Sequence, residues 1–224
     1  MKMLGKTLLS AVLGLVAFVL LLFLPAGTFH YWQAWVFIVV FTLSTWIPSI
    51  YLMRTNPAAL ERRMRAGPIA EARAVQKIII SIALMSLAAM FVFSALDHRF
   101  GWSSVPTTVC LVGDVLVAVG LGLSMMVVIQ NSYAAANITV EADQQVITTG
   151  LYGLVRHPMY TGNVILMLGI PLALGSYWGL VFVIPGLFVL AVRIRDEEEL
   201  LGQELNGYRD YTQQVQYRLV PYVW

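Results

Sequence analysis

Apolar residues fill this chain in six blocks, each near the ~20 residues that a helix needs to cross a bilayer. They are Thr7–Leu24, Tyr31–Met53, Ile78–Leu96, Thr107–Gln130, Pro158–Leu174 and Gly179–Ile194. The pattern predicts an all-α integral membrane protein of about six transmembrane helices. A five-span variant, with one short segment dipping into the bilayer, also fits. Pro25-Ala26-Gly27 and Gly175-Ser176-Tyr177-Trp178-Gly179 read as tight turns between consecutive helices. Pro171 and Pro185 predict kinks or irregular ends in the last pair. Between Gln130 and Pro158 the pattern breaks into a polar loop, Asn131–Thr149, most extended-looking at Asn137–Val140. From Glu198 onward, Leu201, Leu205, Tyr208 and Tyr211 recur at helical spacing. They predict an amphipathic tail that lies on the membrane or folds back on the core. The organisation read from this is an N-terminal four-helix part, 1–130, and a part 131–224 of loop, helical hairpin and tail that acts as one unit.

Composition strengthens the membrane reading. Of 224 residues, 59% are hydrophobic and only 12% charged, against about a quarter charged in soluble domains. A net charge of +2 without a basic stripe argues against a nucleic-acid partner. Cys110 is the only cysteine, so neither a disulfide framework nor a cysteine zinc site arises. No metal site is expected. The run Thr7–Leu24 is long for a signal h-region and lacks a small-x-small cleavage site after it, so it reads as a retained span. Arg54, Arg62, Arg63, Arg65, Arg73 and Lys77 share one loop. With six spans, every basic residue except Arg99 falls on that loop's side. The positive-inside rule then puts both termini in the cytoplasm, in a bacterial-type inner membrane. Trp32, Trp102, Tyr177 and Trp178 mark the opposite boundary.

Two polar islands interrupt this apolar chain. The first is Gly150-Leu151-Tyr152-Gly153-Leu154-Val155-Arg156-His157-Pro158-Met159-Tyr160. Arg156 could simply snorkel and Pro158 simply start a helix. The company of Gly150, Tyr152 and Tyr160 points instead to a ligand site at a helix start, where backbone N–H groups are exposed. The second island holds Arg193 and Glu197, four apart and so on one helix face, beside Asp196, Glu198 and Glu199. Glu199 reads as an ordinary surface charge, whereas Arg193 closes an apolar helix at a depth where ionisable groups pair or serve a site. Asp114, inside the fourth block, is expected to play a structural hydrogen-bonding role. His30 and His98 read as interface residues, and Gly113, Gly120 and Gly122 as points of close helix approach.

These residues resemble the isoprenylcysteine carboxyl methyltransferase family and its bacterial relatives. The resemblance lies in Val146–Tyr152, Arg156–Gly162, Glu197-Glu198 with Leu201, and Gly207-Tyr208 with Tyr211, Val215, Arg218 and Pro221. It covers roughly residues 130–224, and departs where Leu205-Asn206 replaces the usual Phe-Gly. It implies an S-adenosylmethionine-dependent membrane methyltransferase. On that basis Val146, Ile147, Thr148, Tyr152, His157, Pro158, Met159 and Tyr160 are candidates for cofactor binding. Arg193 and Glu197 are candidates for catalysis and acceptor binding. The implied acceptor is lipid-like or prenylated, with carboxyl O-methylation of isoprenylcysteine type first. Alternatives are N-methylation of a phospholipid or small amine, a sterol-reductase-like enzyme using a nicotinamide, and a noncatalytic membrane scaffold.

Overall fold

The computed structural model describes residues 2–64, 67–71, 73–134, 138, 140 and 144–224, without the side chains of 2–4 and 6. Helices α1 (Lys2–Ala26), α2 (Trp32–Thr55), α3 (Pro57–Met64), α4 (Ala74–Phe100) and α5 (Thr107–Gln130) come first. They are followed by α6 (Pro158–Ala173), α7 (Val183–Glu204) and α8 (Tyr208–Gln214). Short 3-10 turns at Pro68–Ala70, Gly150–Gly153 and Trp178–Phe182 complete the architecture, and no strand occurs among the described residues. The extended stretch expected around Asn137–Val140 has Asn137 and Thr139 outside the described residues.

Among the described residues, five segments are long and apolar enough to cross a bilayer, not six: Thr7–Ala26, α2, α4, α5 and Trp178–Glu204. The remaining expected span is α6, with 16 residues, about 24 Å at 1.5 Å per residue and thus short of a ~30 Å hydrocarbon core. Its length is limited by the polar motif that precedes Pro158 and by Gly175, whose φ of +71° turns the chain.

What α6 lacks in length it recovers by lying against α5. A Cβ on Gly120 would stand 2.7 Å from the Gly162 carbonyl oxygen, one on Gly169 2.9 Å from that of Gly113, and one on Gly113 would collide with the Ala173 backbone. Glycines spaced seven apart on both helices therefore let two backbones touch antiparallel, as small residues do in membranes. Gly122, expected to share this role, has open space beside it. Its position two residues past Gly120 turns it to another face.

The main apolar core gathers Leu22, Phe23, Tyr31, Phe37, Phe91 and Ile170 towards the end away from the polar islands. There Asp97, 1% exposed, accepts bonds from Ser103 N (2.7 Å), Ser103 Oγ (2.7 Å) and Ser176 Oγ (2.5 Å). That carboxylate ties the end of α4 to the turn after α6. His98 stacks on Tyr31 with ring centroids 3.9 Å apart, and Tyr31 Oη donates to the Leu174 carbonyl at 2.7 Å. His98, expected as an interface residue, is thus a packing residue. Asp114 differs from expectation: it is buried, and neither carboxylate oxygen has a hydrogen-bond partner. No donor among the described residues comes within hydrogen-bond reach of it.

Close α5–α6 contact yields a stability test. Gly113→Ala forces the helices apart and should cost about 1–3 kcal/mol, the usual range for overpacking. Gly122→Ala should be neutral or slightly stabilising, since a helical glycine gains ~1 kcal/mol on becoming alanine. Thermal unfolding of both variants in detergent is the check, and equal unfolding temperatures would contradict the packing described.

Candidate functional site

The first island folds around a turn that only glycine satisfies. Gly150 has φ of +60°, and a Cβ there would strike Gln130 Nε2. The Gln130 amide clamps the turn, donating to the Thr149 carbonyl (2.8 Å) and accepting from Leu151 N (3.1 Å). Tyr152 then receives an Asn131 Nδ2 bond at its hydroxyl, 3.2 Å. Its carbonyl accepts from Tyr211 Oη, 2.7 Å. Pro158 opens α6 with His157 as the preceding cap residue, a position where the missing N–H costs nothing.

The C-terminal tail folds back on this motif. The sequence pattern spans two helices there, because Gly207 at φ +82° separates α7 from α8. Beyond α8, Arg156 N donates to Tyr217 O and His157 N to Arg218 O, both 2.9 Å, and Thr161 Oγ1 donates to Leu219 O, 2.8 Å. Tyr208, Tyr211 and Val215 pack on Val146, Tyr152, Leu201 and Leu205.

Two charge clusters fix the ends of α6 and α7 to each other. In the first, the Glu198 carboxylate lies 2.7 Å from Arg156 Nε, 2.9 Å from Arg218 Nε and 3.2 Å from His157 Nε2. It thereby joins α6, α7 and the tail. In the second, the Tyr160 hydroxyl accepts from Arg193 Nε (3.0 Å) and donates to Glu197 Oε2 (2.5 Å). Arg193 Nη1 also meets Glu71 Oε1 at 3.0 Å and Gln76 Oε1 at 2.9 Å. Gln76 in turn bonds Asp196, whose other oxygen lies 2.9 Å from Arg73. The His157 ring stacks on Tyr160 with centroids 5.4 Å apart.

A cavity opens between these clusters. Val146, Ile147, Tyr152, His157, Pro158, Met159, Tyr160 and Glu197 line it, joined by Tyr208 and Tyr211. Thr148 lies outside it, in an adjoining recess that shares Val146 and Tyr211. Arg193 sits behind Tyr160, 7% exposed and off the cavity wall. Burial pushes the Tyr152 phenol up to about 12 and raises those of Tyr208 and Tyr211 as well. These phenols, neutral at pH 7 in any case, thus stay uncharged further into the alkaline range. Tyr208 Oη is buried without a hydrogen-bond partner, leaving one polar group of the wall unused.

Sequence reasoning gave no role to Glu198, Tyr208, Glu71 or Gln76. Glu198 and Tyr208 stand inside the quoted motifs, so the signal was present but carried no direction. Glu71 was signalled only as an acid amid a basic loop, and Gln76 by nothing.

Residues 108–207 match the family described as Phospholipid methyltransferase. The Delta(14)-sterol reductase TM7SF2 of Mus musculus is 31% identical over 90 residues, 39% of this chain. The chain spans only 22% of that protein's length. The eukaryotic intramembrane Ras methyltransferase ICMT (isoprenylcysteine carboxyl methyltransferase) aligns with a TM-score of 0.48 at 18% identity, over 97% of this chain and 86% of its own. The family match thus covers a little under half of the chain and takes in α5, α6, α7 and the motif between them.

Proposed function

We propose that this protein transfers a methyl group from S-adenosylmethionine to the head group of a lipid-like acceptor at the membrane surface. One observation carries the reading. Separate segments, Val146–Ile147, Tyr152, His157–Tyr160 and Glu197, converge on one cavity whose wall holds an unpartnered, buried Tyr208 hydroxyl. The residues suit such a cofactor: tyrosine faces attract a sulfonium charge, and Tyr208 Oη offers a donor to a polar ligand. The cofactor supplies a methyl group activated by that sulfonium. The protein's part is orientation and electrostatics, the usual source of rate in a simple group transfer.

Arg193 and Glu197 divide the acceptor side between them. Glu197 faces the cavity, and Arg193 acts through Tyr160, holding the phenol so that its proton points at Glu197. The family resemblance puts carboxyl O-methylation first. A specific observation favours the second reading, an amine acceptor. Arg193 is engaged by the Glu71 carboxylate, so an acceptor carboxylate would have to compete for it, while Glu197 is placed to take an amine's proton. Purified protein in nanodiscs, given methyl-labelled cofactor, tests both. Label in phosphatidylethanolamine supports the amine, and label in a farnesylated cysteine supports the carboxylate. Nicotinamide binding without adenosylhomocysteine binding would support the sterol-reductase alternative, and binding of neither the scaffold.

Two variants follow. Tyr208→Phe removes a hydroxyl that has no partner among the described residues. It should leave stability unchanged and weaken adenosylhomocysteine binding by about 0.5–1.5 kcal/mol, two- to tenfold in Kd by calorimetry. Glu197→Gln and Tyr160→Phe each break a charge-assisted bond worth about 1.5–3 kcal/mol. Single-turnover transfer should drop by one to two decades, with cofactor affinity nearly unchanged. Wild-type turnover in both would remove these residues from the chemistry.

A further inference from the structure

Residues 54–77 read as a basic membrane-flanking loop, yet the most buried charge among its described residues is an acid. Glu71 follows the 3-10 turn Pro68–Ala70 and is 3% exposed. Its two oxygens serve different parts of the protein. Oε1 pairs with Arg193 Nη1 at 3.0 Å, and Oε2 accepts the Ile138 N–H at 3.2 Å. Ile138 belongs to the wall of the cavity, whereas Arg193 lies behind Tyr160 on the Glu197 side. Gln76, fully buried, adds a second acceptor for Arg193 and a donor to Asp196.

A buried carboxylate is tolerated only with a cation and with its remaining lone pairs filled. Glu71 meets both needs at once, so neither Arg193 nor the Ile138 N–H can shift without leaving one of its oxygens unmatched. We propose that Glu71 is a positioning residue that couples the two sides of the cavity. It fixes the guanidinium of Arg193 so that Nε meets Tyr160, and it anchors the Ile138 wall to the same carboxylate. Filling the cavity therefore tightens the Tyr160–Glu197 pair through a group that touches neither ligand. The coupling rests on the methyltransferase reading for the identity of the ligand, but not for the linkage between the two sides.

Hydrogen exchange of the whole chain in nanodiscs, with adenosylhomocysteine as probe, tests this. In the wild type, saturating probe should slow exchange at least fivefold in peptides covering 67–77 and 190–198. The 67–77 segment does not line the cavity, so its protection reports coupling and not contact. In Glu71→Gln, which keeps the shape but loses the charge, protection of 190–198 should vanish at saturation. The Ile138 amide should exchange about tenfold faster, and kcat should fall more than tenfold with KM little changed. Unprotected 67–77 peptides in the wild type, or full protection of 190–198 in the variant, would overturn the proposal. Should Glu71→Gln not fold, the wild-type protection pattern decides alone. Should the wild type not bind the probe, the methyltransferase reading fails. The Ile138 exchange rate in the ligand-free variant then still decides the linkage: faster exchange supports it, and an unchanged rate overturns it.

Discussion

Glu198 is the interaction on which the functional end depends. One carboxylate, held by Arg156, Arg218 and His157, joins the entry of α6, the end of α7 and the C-terminal tail. The Arg156 and Arg218 guanidinium groups are costly to leave unpaired beside a bilayer, where burial strengthens every attraction and every unmet charge. Because the tail also receives the backbone N–H groups of Arg156 and His157, the loop-to-helix junction is held from both directions. The motif is thereby made rigid at the point where a ligand would bind.

The opposite end is held by different physics. Glycines on α5 and α6 bring two backbones into contact, and Asp97 gathers Ser103 and Ser176 into a polar knot. With no hydrophobic drive between helices in lipid, close packing and buried hydrogen bonds must do this work. The short α6 is thus held along its length by α5, and its first residues are presented to the cavity in a fixed orientation.

Between these anchors the cavity divides its labour by charge. Neutral phenols of Tyr152, Tyr208 and Tyr211 line one part of it, and Glu197, bonded to Tyr160, lines another. Arg193 is set back and balanced by Glu71, so its charge is used to orient a phenol. The amine reading proposed above draws on this arrangement, because a substrate that gives up a proton calls for a carboxylate and not for a cation.

The chain's hydrophobic pattern determined the all-helical membrane class, the apolar blocks and their turns, because apolar length and turn residues are local properties. The ordered motif likewise named eight residues that line one cavity: Val146, Ile147, Tyr152, His157, Pro158, Met159, Tyr160 and Glu197. Other features were not legible. The shortness of α6, the outward turn of Gly122, the unpartnered Asp114, and the placing of Thr148 and Arg193 beside the cavity wall but not on it all depend on how helices rotate against each other. The partners Glu71 and Gln76 stand more than a hundred positions from Arg193. No periodicity links residues so far apart. Only the packed fold decided which buried acid meets which buried cation, because the cost of an unpaired charge is set by the finished environment and not by neighbours along the chain.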